Sequence, residues 1–463
     1  PPMLSQWLDE APLAPQDEAP RLKGDIRADV CIIGGGYCGL WTALALKARE
    51  PSLDIVIVEK NRCGDGASGR NGGFVLSWWR SIAALKNVCS TEEAFRLAAA
   101  SADCINEIAD FCRAHAIDCD FRHDGWLWAA TNQAQDGAWR SAIETLAGQQ
   151  VHPFEQWPRE KVAARTGSDR HLSGVFEPTA ATVQPALLAR GLRRAALAQG
   201  IRIFENSPMR RLQRARPPRI VTAGGTVTAD KVVIAMNAWA TALAELRRSI
   251  LVISSDVVAT GALPERLKSS GWADGMAISD SRTLVNYYRT TPDGRVIFGA
   301  GGGFLSYGNR VTEKFDGATP RAAEVAGYFQ QTYPAFRDVG IASHWTGPID
   351  RSLSGLPFFG RLGGRGDILY GLGFSGNGVG PTMLGGKILA SLVLEASDQW
   401  SECGLVRDHG GHFPPEPMRY FGGNLVLAAK RRIEALDDQG LKPGFVTRTI
   451  AGLAPAGLTK VKG

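Results

Sequence analysis

The chain has 463 residues, 44% hydrophobic and 21% charged, with a formal net charge of +6, the composition of an ordinary globular protein with room for two domains. No apolar run reaches bilayer-spanning length, and the proline-rich, acidic N-terminus (PPMLSQWLDEAPLAPQDEAP) lacks the basic and apolar regions of a signal peptide. The 8 cysteines have no paired spacing, which reads as reduced thiols and a cytoplasmic protein.

In chain order, the first strong element is residues 28–60. A short apolar run, 30–33, ends in Gly34-Gly35-Gly36-Tyr37-Cys38-Gly39. An alanine- and leucine-rich helix follows, then a second apolar run, 55–58, that closes on Glu59. Strand, glycine turn, helix, strand and acid in this order form a dinucleotide-binding unit. Gly34 permits the tight turn, Gly36 lets backbone approach a pyrophosphate, and Gly39 lets the helix pack close to the strand. The helix N-terminus then offers free amides to the phosphates. Glu59 is placed to accept ribose hydroxyls and to repel a 2′-phosphate, which disfavours NADP. This unit alone does not distinguish FAD from NAD.

Residues 61–73 (NRCGDGASGRNGG) are too glycine-rich and polar for a helix or strand. Residues 91–116 read as a helix, 125–130 as a strand, 184–199 as a helix, and 201–204 and 231–235 as strands. Cys112, His115 and Cys119 would share a helical face, with His123 beyond, but that face also carries Ile108 and Phe111. Ordinary packing of small apolar thiols is the preferred reading, and no metal is expected. The arginine cluster at 210–219 precedes a glycine turn and reads as an exposed hairpin. With no interleaved aromatics or recognisable module, it does not indicate nucleic-acid binding.

From 250 to 303 the pattern becomes β-rich, clearest at 251–261, 284–290 and 295–300. Helical character returns at 321–332. A strand at 367–371 runs into the glycine-rich segment 373–380 and a helix at 381–395 that has proline near its start. Gly371–Gly376 repeats the GxGxxG spacing, yet Glu395 ends the same helix and no second strand presents it, so this unit cannot hold an adenosine ribose. A second true dinucleotide unit, usual in flavoproteins reduced by NAD(P)H, is missing. An amphipathic helix is expected near 424–436. The expected class is α/β (α+β overall): a Rossmann-like FAD-binding domain made of 25–85, 155–245 and 340–398, interrupted by a β-rich substrate domain of 86–154 and 246–339, with a tail from 399 to 463.

The opening unit, GASGRNGG at 66–73, VIAMNAW at 233–239, NYYRTTPDGRVIFGAG at 286–301 and GFSGNGVGPTMLGGKILA at 373–390 together resemble the D-amino-acid oxidase/glycine oxidase family, within it the γ-glutamylputrescine oxidase-like branch. FPPEPMRYFGG at 413–423 resembles that branch's tail. The resemblance implies FAD, oxidation of a C–N bond and reoxidation by O₂ to give H₂O₂. It places the cofactor against Gly34, Gly36, Gly39, Glu59 and Lys60, and against the loop residues Ser68, Arg70, Asn71, Gly72 and Gly73. Met209 matches the position where the family lays backbone on the adenine. Gly376, Asn377, Gly378, Val379, Gly380 and Thr382 lead into a helix whose N-terminus points at the flavin N1–C2=O edge, where its dipole favours the anionic reduced form.

Three departures from relatives matter. A cysteine that anchors FAD covalently in some is Arg351 here, a histidine anchor in others is Arg70, and an oxygen-activating lysine aligns with Ile297. Noncovalent FAD is therefore expected. Hydride transfer from an amine to flavin N5 needs positioning rather than a dedicated base. The pocket candidates are Arg289, Tyr288, Trp345, His344 and Phe374, with Trp78, Trp79 and Tyr287 beside them. Arg289 is cast as the anchor of a substrate anion and Asp256 as a weaker partner for the amine. The expected function is oxidation of a primary or secondary amine or amino acid. The alternative is a flavin dehydrogenase passing electrons to a quinone or other carrier, its tail helix resting on a surface.

Overall fold

The computed structural model describes residues 5–14, 17–407 and 410–455. Two eight-stranded sheets organise it. Six strands of the first run in the order Phe358–Arg361, Ile368–Leu372, Thr226–Ile234, Ile26–Ile33, Ile55–Val58, Arg202–Phe204, and the hairpin described below adds the other two beside Thr226–Ile234. All pairings among the six are parallel except the one between the first two strands. Val30 and Ile32 face a core built on helices Tyr37–Arg49, Pro185–Ala198 and Pro381–Val393, while Cys31 and Ile33 face a second core on the other side of the sheet. That alternation is what a parallel sheet buried on both faces requires.

The second sheet is mostly antiparallel, in the order Ile341–Arg351, Leu251–Thr260, Val296–Ala300, Asn286–Thr290, Ala277–Asp280, Trp126–Ala130, Ser173–Glu177, Glu155–Trp157. The α/β class with an interrupting β-rich unit is therefore what the chain forms. Segments 155–177 and 341–351, read from sequence as parts of the nucleotide unit, pair instead with this second sheet. Leu251–Thr260 explains the latter: it is buried along almost its whole length and pairs at ten positions with Ile341–Arg351.

The arginine cluster is a hairpin, Arg211–Gln213 against Arg219–Val221, in which Arg214 pairs with Glu245 at 2.5 Å and Arg219 with Asp25 at 3.9 Å. The helix Thr91–Ala114 ends before His115, so Cys112, His115 and Cys119 do not share one helical face. Cys112 and Cys119 are buried with sulfurs 3.8 Å apart, and no metal-holding group of three His, Cys, Asp or Glu occurs among the described residues. Glu395 lies on the surface, paired with Lys231, away from any ribose position. The tail carries Met418–Asp437, longer than expected, and a further helix, Phe445–Gly452. Among the described residues no helix is long and apolar enough to cross a membrane.

The N-terminal residues do work that the sequence did not suggest. Helix Gln6–Asp9, capped by the Ser5 hydroxyl, buries Trp7 against the back of the loop 67–73.

Candidate active site

A cavity of ≈ 970 Å³ runs from the glycine turn of the first sheet to the face of the second. At its first end Gly34 has φ +113°, and a Cβ there would lie 2.4 Å from the Ala235 carbonyl oxygen. A Cβ on Gly39 would lie 2.0 Å from the Gly34 oxygen, so the helix packs where only glycine fits. A Cβ on Gly36, which lines the cavity, would fill the space 2.9 Å from Ser68 Oγ. No side chain caps helix Tyr37–Arg49, although the Tyr37 N–H donates to Ser68 Oγ at 3.0 Å. The remaining first-turn amides suit a phosphate.

Glu59 stands at the end of Ile55–Val58 and receives the Gly35 N–H on one oxygen (2.7 Å) and the Asn61 N–H on the other (2.9 Å). Burial raises its pKa, which these two donors oppose. Each oxygen keeps a lone pair for a hydroxyl, which fits an adenosine ribose. Lys60 and Met209 line the same end. Lys60 lies over the Trp239 ring, 5.3 Å from its centroid, and 3.6 Å from Asp316.

The loop 67–73 forms the middle of the cavity. Ser68, Arg70, Asn71 and Gly72 line it, while Gly73 sits behind. Arg70 is buried, donates Nε to the Asp65 carbonyl at 2.9 Å and pairs with Asp316 at 2.6 Å, leaving Nη1 without a hydrogen-bond partner. Such an orphaned buried donor on a cavity wall fits a polar cofactor edge. Asn71 was expected to donate into the site. Instead its amide donates to the Ala67 and Ser68 carbonyls and its oxygen accepts the Gly73 N–H, so it braces the loop. Opposite lie Gly376, Asn377, Gly378, Val379 and Thr382, just before helix Pro381–Val393 or at its start. Gly380 and Gly39 do not reach the cavity.

The substrate side departs from expectation. Phe374 and Tyr287 line the cavity, and the Tyr287 hydroxyl meets Ser255 Oγ at 2.8 Å. Tyr288, Arg289, His344, Trp345, Trp78, Trp79 and Asp256 do not. Tyr288 points into the opposite core, its hydroxyl 2.6 Å from His171 Nε2 and its ring stacked on Phe298. His344 is half-buried in register with Val258, away from the site. Asp256 is paired with Arg321 at 2.7 Å and accepts a hydrogen bond from the Thr319 hydroxyl at 2.7 Å.

Arg289 and Trp345 lie behind the loop. Trp345 donates Nε1 to the Arg70 carbonyl at 2.8 Å and meets Trp7 edge-on at 6.2 Å. Arg289 lies 5.1 Å from the centroid of the Trp7 ring, and burial lowers its pKa to about 9. The far wall is instead made by Arg80, Trp126, Trp128 and Ser279, none of them a pocket candidate from the sequence, together with Arg351, which the sequence placed only at an anchor position of relatives. The Gly-Trp-Leu-Trp alternation at 125–128 was the available signal, since it sets two indoles on one strand face.

A glycine-cradled turn, a ribose-facing acid and a long cavity between two sheets define a dinucleotide oxidoreductase fold. The family model of FAD dependent oxidoreductases (DAO) matches residues 29–392, and the chain belongs to this family. It is 32% identical to gamma-glutamylputrescine oxidoreductase of Escherichia coli (strain K12) over 375 residues, 80% of this chain and 85% of that protein. It is 31% identical to the probable oxidoreductase OrdL of Rhizobium meliloti (strain 1021), over 84% of this chain and 88% of the other. Glycine oxidase from Geobacillus kaustophilus has a similar fold, with TM-score 0.64 at 21% identity, covering 80% and 96% of the two chains. The protein is an FAD-dependent oxidoreductase of the amine and amino-acid oxidising type.

Proposed function

We propose that the chain oxidises the C–N bond of a small amine or amino acid, using noncovalently held FAD and returning the electrons to O₂ as H₂O₂. The observation that carries this reading is the cavity itself. It joins a dinucleotide cradle to a wall of aromatic and cationic side chains with no gap between them. Bound FAD supplies a two-electron acceptor for the hydride of the substrate's α C–H.

The protein's part is binding and shape. Gly34–Gly36 and Ser68 would hold the pyrophosphate, and Glu59 the ribose. Arg70 and the 374–379 segment would hold the ring, and Tyr287 and Phe374 would exclude water beside it. Among the described residues the cavity is lined by no histidine and by one cysteine, Cys38, whose thiol burial pushes to about 12. It lies in the phosphate turn, which favours a noncovalent cofactor.

One observation favours the dehydrogenase alternative, with a quinone or other carrier as acceptor: Ile297 is buried beside Trp7 and Trp345 behind the loop, so no lysine stands there. The test is anaerobic flavin bleaching with a panel of amines, followed by peroxide measurement in air. Bleaching with peroxide is expected, and acid precipitation should leave the flavin in the supernatant. Bleaching without peroxide transfers the assignment to the dehydrogenase. Reduction by NADPH with no response to any amine refutes both.

A further inference from the structure

Four arginines line the cavity: Arg70, Arg80, Arg282 and Arg351. Two are neutralised. Arg70 pairs with Asp316, and Arg282 pairs with Asp280 at 3.0 Å and Asp438 at 2.8 Å. The other two are not. Among the described residues the Arg80 and Arg351 side chains make neither a hydrogen bond nor an ion pair, and the buried Arg351 Nε has no partner. Burial, and after it the charge of Arg80, lowers the pKa of Arg351 to about 10. Burial alone lowers Arg80 to about 10, with Asp280 opposing. Both remain cations at neutral pH. Each of the cavity's five carboxylates has a partner of its own: Glu59 the Gly35 amide (2.7 Å), Asp316 Arg70 (2.6 Å), Asp136 Ser173 (2.5 Å), Asp350 the Gly373 amide (2.6 Å) and Asp65 Arg190 (2.8 Å).

Two like charges in one partly desolvated wall, with no carboxylate of the described residues in contact with either, are arranged for an anion. The wall also fixes where that anion sits. Tyr287, Ser279 and Trp128 lie in one register row across three adjacent strands, so they share a sheet face. Tyr287 marks the loop side, since a Cβ on Gly72 would lie 2.9 Å from its ring. Trp128 is two strand spacings away, about 10 Å. Arg80 is laid on Trp128 with its Cζ 4.4 Å from the ring centroid, and Trp126 stacks beside it at 5.9 Å and 16°.

We propose that Arg80, laid on the Trp126–Trp128 wall, and Arg351, which lines the same cavity, bind a carboxylate carried by the substrate about a nanometre from the bond that is oxidised, so that the preferred substrate is an extended amino acid whose amine and carboxylate lie at opposite ends. This rests on the oxidase reading of the same cavity. It replaces Arg289, which the sequence suggested and the fold places behind the loop.

The test uses the holoenzyme and a series of ω-amino acids from glycine to 8-aminooctanoate, each compared with the alkylamine of equal chain length. In the wild type kcat/KM for flavin reduction should rise with length, and the long amino acid should exceed its alkylamine about 10–100-fold, the worth of hydrogen bonds to a charged partner. Arg80→Gln and Arg351→Gln should each collapse that ratio toward one, and Arg80→Lys should retain part of it.

A readout without turnover is the binding of hexanoate, followed through the visible spectrum of the bound flavin, which should weaken at least tenfold in both glutamine variants. Equal rates for acid and alkylamine in the wild type, or ratios unchanged in the variants, overturn the proposal. Should the variants fail to fold, the wild-type comparison and competition by hexanoate still decide it. If no amine of either kind bleaches the flavin while hexanoate binding still depends on both arginines, the oxidase reading fails and the anion site stands.

Discussion

Replacing Trp7 with alanine should loosen the flavin, although Trp7 lines no part of the cavity. Trp7 is 1% exposed, donates Nε1 to the Asn71 carbonyl at 2.9 Å, and lies between Trp345 and Arg289. A buried Trp→Ala change costs about 3–5 kcal/mol. Part of that is the stranded Asn71 carbonyl, worth about 1–3 kcal/mol, and part is the aromatic face lost by Arg289, about 0.5–2 kcal/mol. These contacts converge on the loop 67–73. If half of about 4 kcal/mol is transmitted to cofactor binding, FAD should leave about 30-fold faster. The assay is the recovery of flavin fluorescence on dilution of the holoprotein. Trp7→Phe keeps an aromatic ring and loses the N–H, so it should show a smaller acceleration, about 5–10-fold. A folded Trp7→Ala protein that releases FAD at the wild-type rate refutes the coupling.

Glu59→Gln removes a charged acceptor from the ribose position and should lower FAD affinity by about 1.5–3 kcal/mol; one flavin per chain after gel filtration would show that Glu59 serves only the Gly35 and Asn61 amides. Asp316 joins Arg70 and Lys60, so Asp316→Asn should quicken FAD release several-fold and blunt its salt dependence, and an unchanged salt profile contradicts that role. Asp350 has its pKa raised from 3.8 to about 7 by burial. Its neutral form is the one the fold prefers, so its contribution is full below pH 3.8 and is lost as pH rises through about 7, roughly 4 kcal/mol in all. Urea unfolding of Asp350→Asn should lack that decline between pH 3.8 and about 7, and parallel pH profiles for the two proteins would exclude Asp350 as its source.

The nucleotide end was legible because it is local. Val30–Glu59 carries its own turn, helix and acid, and each glycine's role follows from backbone sterics within one βαβ unit. The segment 373–380 was legible for the same reason. The substrate end is a product of strand parity and of coverage. On Asn286–Thr290, Tyr287 faces the cavity, so Tyr288 must face the opposite core, which alternation alone could have indicated. On Ile341–Arg351 every residue from Gly347 to Arg351 lines the cavity, so alternation decides nothing there, and His344 lies on the part of the strand before that stretch.

Parity does not explain Arg289, which shares the Tyr287 face of its strand, and it does not decide for Trp345. They are excluded because the N-terminal helix covers them: Trp7, more than 280 positions away in sequence, fills the space in front of both. A proline-rich, acidic N-terminus carries no local sign of that role, since nothing in its periodicity tells which surface it will seal. The same packing buries Ile297 with Trp7. A position that aligns with a catalytic lysine in relatives thus lies here in the support behind the loop, and the charge on the substrate side comes from Arg80 and Arg351. The cavity is therefore cationic at the end away from the phosphates, which suits an anionic substrate group.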